Sequence, residues 1–167
     1  MLYDAAYWIK HLNLSVHVEG GAFREIYRSP IVVNKDSLPI TFNNSKNSST
    51  SIYFLLKKEQ FSAFHRIKSD EIWHHYTGGT LEIFEIDTNG KMIRHLLGKE
   101  AEKGESFQCI IKAGNWFASR VAKGEFVLSG CTVSPGFDFE DFELAKKTEL
   151  TYLYPEHEKL ISELSRI

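Results

Sequence analysis

From residue 50 to residue 132 the chain is cut into short apolar segments by turn signals at nearly regular spacing, and this punctuation constrains the fold most. Gly78-Gly79, Asn89-Gly90, Gly98, Gly104, Ala113-Gly114-Asn115 and Gly124 are residue types that reverse a chain at little cost. The segments between them, 51–56, 61–66, 71–76, 81–86, 92–97, 107–111, 116–122 and 125–132, have strand length and strand composition. Short strands so spaced predict an all-β chain, an antiparallel sandwich or barrel. No repeat and no low-complexity stretch interrupts them.

The flanks read differently. Asp4 can cap a short helix whose apolar residues Ala5, Trp8, Ile9 and Leu12 recur at helical spacing, with Asn13 as the stop. Gly20-Gly21 then turns the chain into a strand over 22–28. Residues 34–49, rich in Asn, Ser and Lys, read as an exposed loop with room for an edge strand at 40–42. At the other end a short helix is expected over 147–154. A second follows from Pro155, with Leu160, Ile161, Leu164 and Ile167 on one face.

Composition excludes several function classes. At 167 residues, 43% apolar and 25% charged, the chain suits one globular domain over 1–167. Its net charge of -2, with the basic residues scattered, argues against a nucleic-acid partner. Cys109 and Cys131 sit in apolar segments, which fits buried thiols in a reduced, cytoplasmic setting. No basic-then-apolar leader and no run of about 18 apolar residues is present, so neither secretion nor a membrane is expected.

The chemistry is densest in 61–79, FSAFHRIKSDEIWHHYTGG. On a strand, residues i, i+2 and i+4 share a face. Alternation therefore groups Phe61, Ala63, His65 and Ile67. After a polar turn at Lys68-Ser69-Asp70 it groups Glu71, Trp73 and His75, with Ile72, His74 and Tyr76 opposite. If both inner faces look into one cavity, His65, Glu71, Trp73 and His75 converge there. Arg66 is expected outside, pairing with a carboxylate.

This stretch resembles the first motif of the cupins, small double-stranded β-helix barrels, which runs H-x-H-x3-E-x6-G. His65, Glu71 and Gly78 fit its spacing, and Ile67 replaces the second histidine. Residues 17–25, HVEGGAFRE, resemble the signature H-P-E-G-G-x-F-x-E of the cupin-5 subfamily, a domain of unknown function, with Val18 in place of proline. Residues 112–118, KAGNWFA, resemble the second cupin motif, P-x-G-x2-H, with Lys112 for proline and Phe117 for the third histidine. Residues 130–139 and 141–144 match the closing cupin-5 signature.

The resemblance implies a jelly-roll barrel of two antiparallel sheets with short helices at both ends, and a homodimer. It carries the usual metal ligands onto His65, Ile67, Glu71 and Phe117, of which only His65 and Glu71 can coordinate. If a metal is held, His75 is the third candidate. No tightly bound cofactor is expected, with a weakly held divalent metal as the alternative. The expected function is a pocket for a small polar molecule, a sugar or nucleotide-sugar. His17, Glu19, Tyr53, Phe61, Trp73, His75 and Phe117 are expected to line it.

Two enzymatic alternatives stand beside that reading. One is an epimerase or isomerase with His65 and Glu71 as catalytic residues, His65 as general base and Tyr53 or Tyr76 as acid. The other is a metal-dependent oxygenase or isomerase. Cys109 and Cys131 lack basic neighbours and read as structural.

Overall fold

A computed structural model describes residues 3–166. The Asp4 side chain accepts a hydrogen bond from the Tyr7 backbone N–H at 2.8 Å and so opens helix α1, Ala5–His11. A short hairpin follows, β1 (Ser15–Val16) with β2 (Ala22–Arg28). β3 (Val32–Val33) and β4 (Lys46–Asn47) form a separate small ribbon. The barrel then uses β5 (Thr50–Lys57), β6 (Phe61–Arg66), β7 (Asp70–Ile86), β8 (Met92–Leu97), β9 (Gln108–Ile111) and β10 (Trp116–Ser134). It closes with β11 (Glu143–Leu144), and helices α2 (Lys147–Leu153) and α3 (Glu158–Glu163) end the chain.

Four of the expected strands are halves of two long ones. β7 runs for 17 residues and β10 for 19, antiparallel from Trp116 opposite Ile86 to Ser134 opposite Asp70. Gly78-Gly79 is therefore not a turn. A Cβ on Gly79 would lie 1.6 Å from the Lys123 carbonyl oxygen, so only glycine lets the two backbones meet where the register shifts. Each long strand serves two sheets. The second half of β10 pairs with β5 and its first half with β6, while β7 reaches β9 with its first half and β8 with its second. The result is a jelly roll of two antiparallel sheets.

Alternation then assigns the side chains. Phe54 and Leu56 point between the sheets and pack with Trp73, Leu81, Ile83 and Phe117. Their neighbours Tyr53 and Leu55 point outward, where Trp8 and Ile9 of α1 and Leu12 just after it cover them. The other outer face carries Phe64, Phe84 and Trp116 and is covered by Leu150 of α2, Ile161 of α3 and Leu164 just after it. Each such buried side chain contributes about 1.5–3 kcal/mol. Ile167, expected on this last apolar face, lies outside the described residues.

The edge strand expected at 40–42 does not form. Pro39 has no N–H for a ladder, and its carbonyl instead accepts from the Phe42 N–H at 3.1 Å. The turn leaves Ile40 at 92% exposure and Phe42 at 2%. Among the described residues no helix is long and apolar enough to cross a membrane.

Candidate functional site

One barrel mouth holds a cluster of buried ionisable side chains, and the loop between β1 and β2 completes it. The His17 N–H reaches the Gly21 carbonyl and the Gly20 N–H the His17 carbonyl, both at 3.1 Å. Gly20 has φ of 119°, and a Cβ there would fall 2.1 Å from the Phe61 carbonyl oxygen. Glycine thus lets the loop lie flat on β6, where the Glu19 carbonyl accepts from the Ala63 N–H at 2.8 Å. The Glu19 side chain then meets His65, Oε2 to Nε2, at 2.9 Å.

His65 is also held from the other side, its Nδ1 2.7 Å from the Ala63 carbonyl oxygen. Both ring nitrogens therefore face acceptors, and only an imidazolium can donate to both. Burial alone would lower the His65 pKa, but the Glu19 charge and hydrogen bond, with the Ala63 carbonyl, raise it above the ordinary value. Burial would likewise raise the Glu19 carboxyl, and the charge and hydrogen bond of His65 outweigh it and hold it low. His17 accepts from the Glu19 N–H at 3.3 Å through Nδ1, and burial pushes its pKa down. The neutral ring fits that contact.

Glu71 is the odd member. It is buried in the same cluster, and desolvation, opposed by His65 and reinforced by Glu19, raises its carboxyl to about 7. The Cys131 thiol and the Trp73 indole lie beside it. Those are its neutral neighbours; His65, the nearby cation, is already engaged by Glu19.

These four groups form the polar end of a cavity of about 220 Å³. Phe23 and Ile52 make one apolar wall, and Phe137, Phe139 and Phe142 make another. The second wall is a strap, 136–142, tied down at both ends. Arg28 donates to the Phe137 carbonyl at 3.1 Å and holds Glu25 through two bonds at 3.0 and 2.7 Å. Buried Lys46 pairs with Asp141 at 2.6 Å and with Glu140, while Lys68 reaches Asp141 at 3.1 Å.

Of the residues expected at the pocket, His17, Glu19, His65 and Glu71 line it. Trp73, His75, Phe117, Tyr53 and Phe61 do not, for identifiable reasons. Glu71, Trp73 and His75 do share a face, but each pair step advances about 6.7 Å along the strand. Trp73 thus falls in the core and His75 beyond it, its Nε2 2.9 Å from the Gly79 carbonyl oxygen. Phe117 packs on the His65 ring at 4.0 Å between centroids and belongs to the core. Tyr53 is on the outer face, edge-on to Tyr76 at 5.8 Å, so neither tyrosine can serve as an acid in the cavity.

Phe61 is displaced by a bulge. Phe117 opposes His65 and Ser119 opposes Ser62, which inserts one extra residue into β6 and reverses the alternation. Phe61 then points outward under the Arg166 guanidinium, 4.7 Å from its ring centroid. Arg66 does pair outside, with Glu143 at 2.7 Å. The sequence reading missed Arg28 and the phenylalanines of the strap as lining residues. The phenylalanine recurrence at 137, 139 and 142 was the available signal.

The residues at the four cupin ligand positions do not fit a metal. Ile67 and Phe117 offer no donor atom, and His65 has both nitrogens engaged. His75 is bound elsewhere. Among the described residues, no three His, Cys, Asp or Glu side chains are grouped as a cation's ligands would be.

A two-sheet jelly roll with a pocket buried at one mouth is the architecture of the cupins. This chain belongs to the Cupin_5 family of the cupin superfamily (DUF985), whose model matches residues 6–145. It is similar to a hypothetical protein from Leishmania major, 35% identical over 99% of this chain and 100% of that one, with a TM-score of 0.90. It is also similar to a Shewanella oneidensis protein of known crystal structure, 37% identical over 98% of each chain, with a TM-score of 0.89. Oxalate decarboxylase from Bacillus subtilis, an enzyme with Mn(II) centres, shares the fold at 17% identity and a TM-score of 0.55. That match covers 89% of this chain and 36% of the enzyme. Among proteins of curated function none matches the chain.

Proposed function

We propose that the barrel mouth binds a small polar molecule of about one ring in size. The observation that carries this reading is a cavity with ionisable groups at its buried end and phenyl rings along its walls. That division lets polar groups orient a ligand while apolar surface supplies affinity. A volume of about 220 Å³ is below the range of drug-sized ligands and above the roughly 150 Å³ of a benzene-sized cavity. A sugar ring suits it, and a nucleotide-sugar would keep its nucleotide outside. Thermal-shift and calorimetric screening of monosaccharides and similar ring compounds, repeated on an Ile52→Trp variant whose indole fills the cavity, tests this. Binding that survives the filled cavity would place the ligand elsewhere and sink the proposal.

Proton-transfer catalysis, as in an epimerase or isomerase, is the second reading, and one observation favours it. A carboxyl raised to about 7 can both take and return a proton near neutral pH. This gives the acid–base role to Glu71, with His65 and Glu19 as a fixed ion pair beside it. Incubating a bound ligand in D2O and following its C–H signals by NMR tests the idea. Deuterium incorporation that persists in Glu71→Gln would remove Glu71 from the role.

A further inference from the structure

The charges around the cavity do not balance locally once each cation is assigned its nearest acid. Arg28 is held by Glu25 through two hydrogen bonds and His65 by Glu19 at 2.9 Å. Lys46, behind the strap, is taken by Asp141 and Glu140. What remains is acidic. Asp138 at the rim is half-exposed and reaches Lys46 no nearer than 3.9 Å, behind Asp141 and Glu140, and Glu71 at the buried end makes no ion pair among the described residues. Glu71 is 8% exposed and lines the cavity; its direct neighbours Cys131 and Trp73 are neutral, and the nearby His65 cation is engaged by Glu19. The Trp73 indole nitrogen itself has no well-formed partner.

A buried carboxylate without a countercharge of its own is costly, and a ligand that supplies one recovers that cost. Among the described residues lining the cavity, an anionic ligand would meet no free cation. The phenyl rings of Phe23, Phe137, Phe139 and Phe142 line the same cavity, and the faces of such rings attract cations. We infer that the ligand carries an organic cation, a protonated amine or methylated ammonium, seated in the cavity with Glu71 as its counterion and phenyl rings around it. This rests on the small-molecule reading above and narrows its ligand class.

The experiment is calorimetric titration of the intact protein with charge-matched sets of similar shape. Glucosamine, glucose and glucuronate form one set, and choline with its uncharged tert-butyl isostere forms the other. The cation of at least one set should bind tenfold or more tighter than its neutral counterpart. Glu71→Gln, with folding checked by circular dichroism, should abolish the cation's preference, bringing the cation and the neutral compound to the same affinity. Phe142→Leu, which keeps the cavity apolar, should weaken the cation's preference severalfold. If in both sets an uncharged or anionic member binds as well as the cation, or the preference survives Glu71→Gln, the cation assignment fails and the pocket stands. Failure of every member to bind would overturn both.

Discussion

Glu19 Oε2 lies 2.9 Å from His65 Nε2 while the Ala63 carbonyl oxygen lies 2.7 Å from His65 Nδ1, and between these acceptors the ring is held as a cation. In Glu19→Gln the opposing charge is gone and burial dominates. The His65 pKa should fall from above its ordinary value of 6.5 to below it, read from imidazole NMR signals. An unchanged titration would refute the pair. Glu19→Ala, which removes one partner of the buried pair, should cost about 3–5 kcal/mol by urea denaturation. The Glu19 contribution to stability is present above 4.5 and lost as pH falls through its lowered folded value. That of His65 is present below 6.5 and lost as pH rises through its raised folded value.

Glu71 acts in the opposite sense to Glu19. Its folded pKa of about 7 exceeds the ordinary 4.5, so between those values the folded state binds more protons and stability falls as pH rises. Above pH 7 the penalty is complete, about 3 kcal/mol at 1.36 kcal/mol per unit. Glu71→Gln should therefore gain stability relative to the parent between pH 5 and pH 8, measured as denaturant midpoints at both. A constant difference would show that Glu71 does not titrate there.

Gly20 keeps the 17–21 loop on β6. Gly20→Ala combines a φ of 119° with a Cβ 2.1 Å from the Phe61 carbonyl oxygen, which forces the loop away. The cost should be about 2 kcal/mol or more, and the NMR signature of the His65–Glu19 pair should be lost with it. Retention of that signature would show that the loop is not what places Glu19.

Lys46 is the buried tie of the phenylalanine strap through Asp141 and Glu140. Lys46→Met keeps the apolar stem and deletes the charge, so amide exchange should quicken across 136–142 while β7 and β10 stay protected. Exchange unchanged in the strap would mean that Arg28 and Lys68 hold it without Lys46.

We expect a homodimer in solution. β9 pairs with β7 and with no strand on its other side among the described residues, and Ile110 on it is 48% exposed, with Tyr76 equally so. Such an edge invites pairing with a second copy. Light scattering should give twice the chain mass, reduced to one by Ile110→Lys. A monomeric parent protein would end this expectation.

What the chain alone determined is what depends on near neighbours. The capped helix at Asp4, the strand over 22–28, the outward Arg66 and the all-β class follow from periodicity and turn residues, because side-chain direction in a strand is set within two residues. The same local view misread Gly78-Gly79. Whether two glycines make a turn or a close crossing depends on Lys123, which is remote in sequence.

The tertiary structure decided the site. His65 and Glu71 were legible as candidates, but the partner of His65 turned out to be Glu19, brought in by a loop that docks on another strand. One bulge in β6 sent Phe61 outward, and the length of β7 carried Trp73 and His75 out of reach of the mouth. Pairing register and position along a strand are non-local quantities. They fix which of several same-face residues share a pocket, and no sequence periodicity contains them.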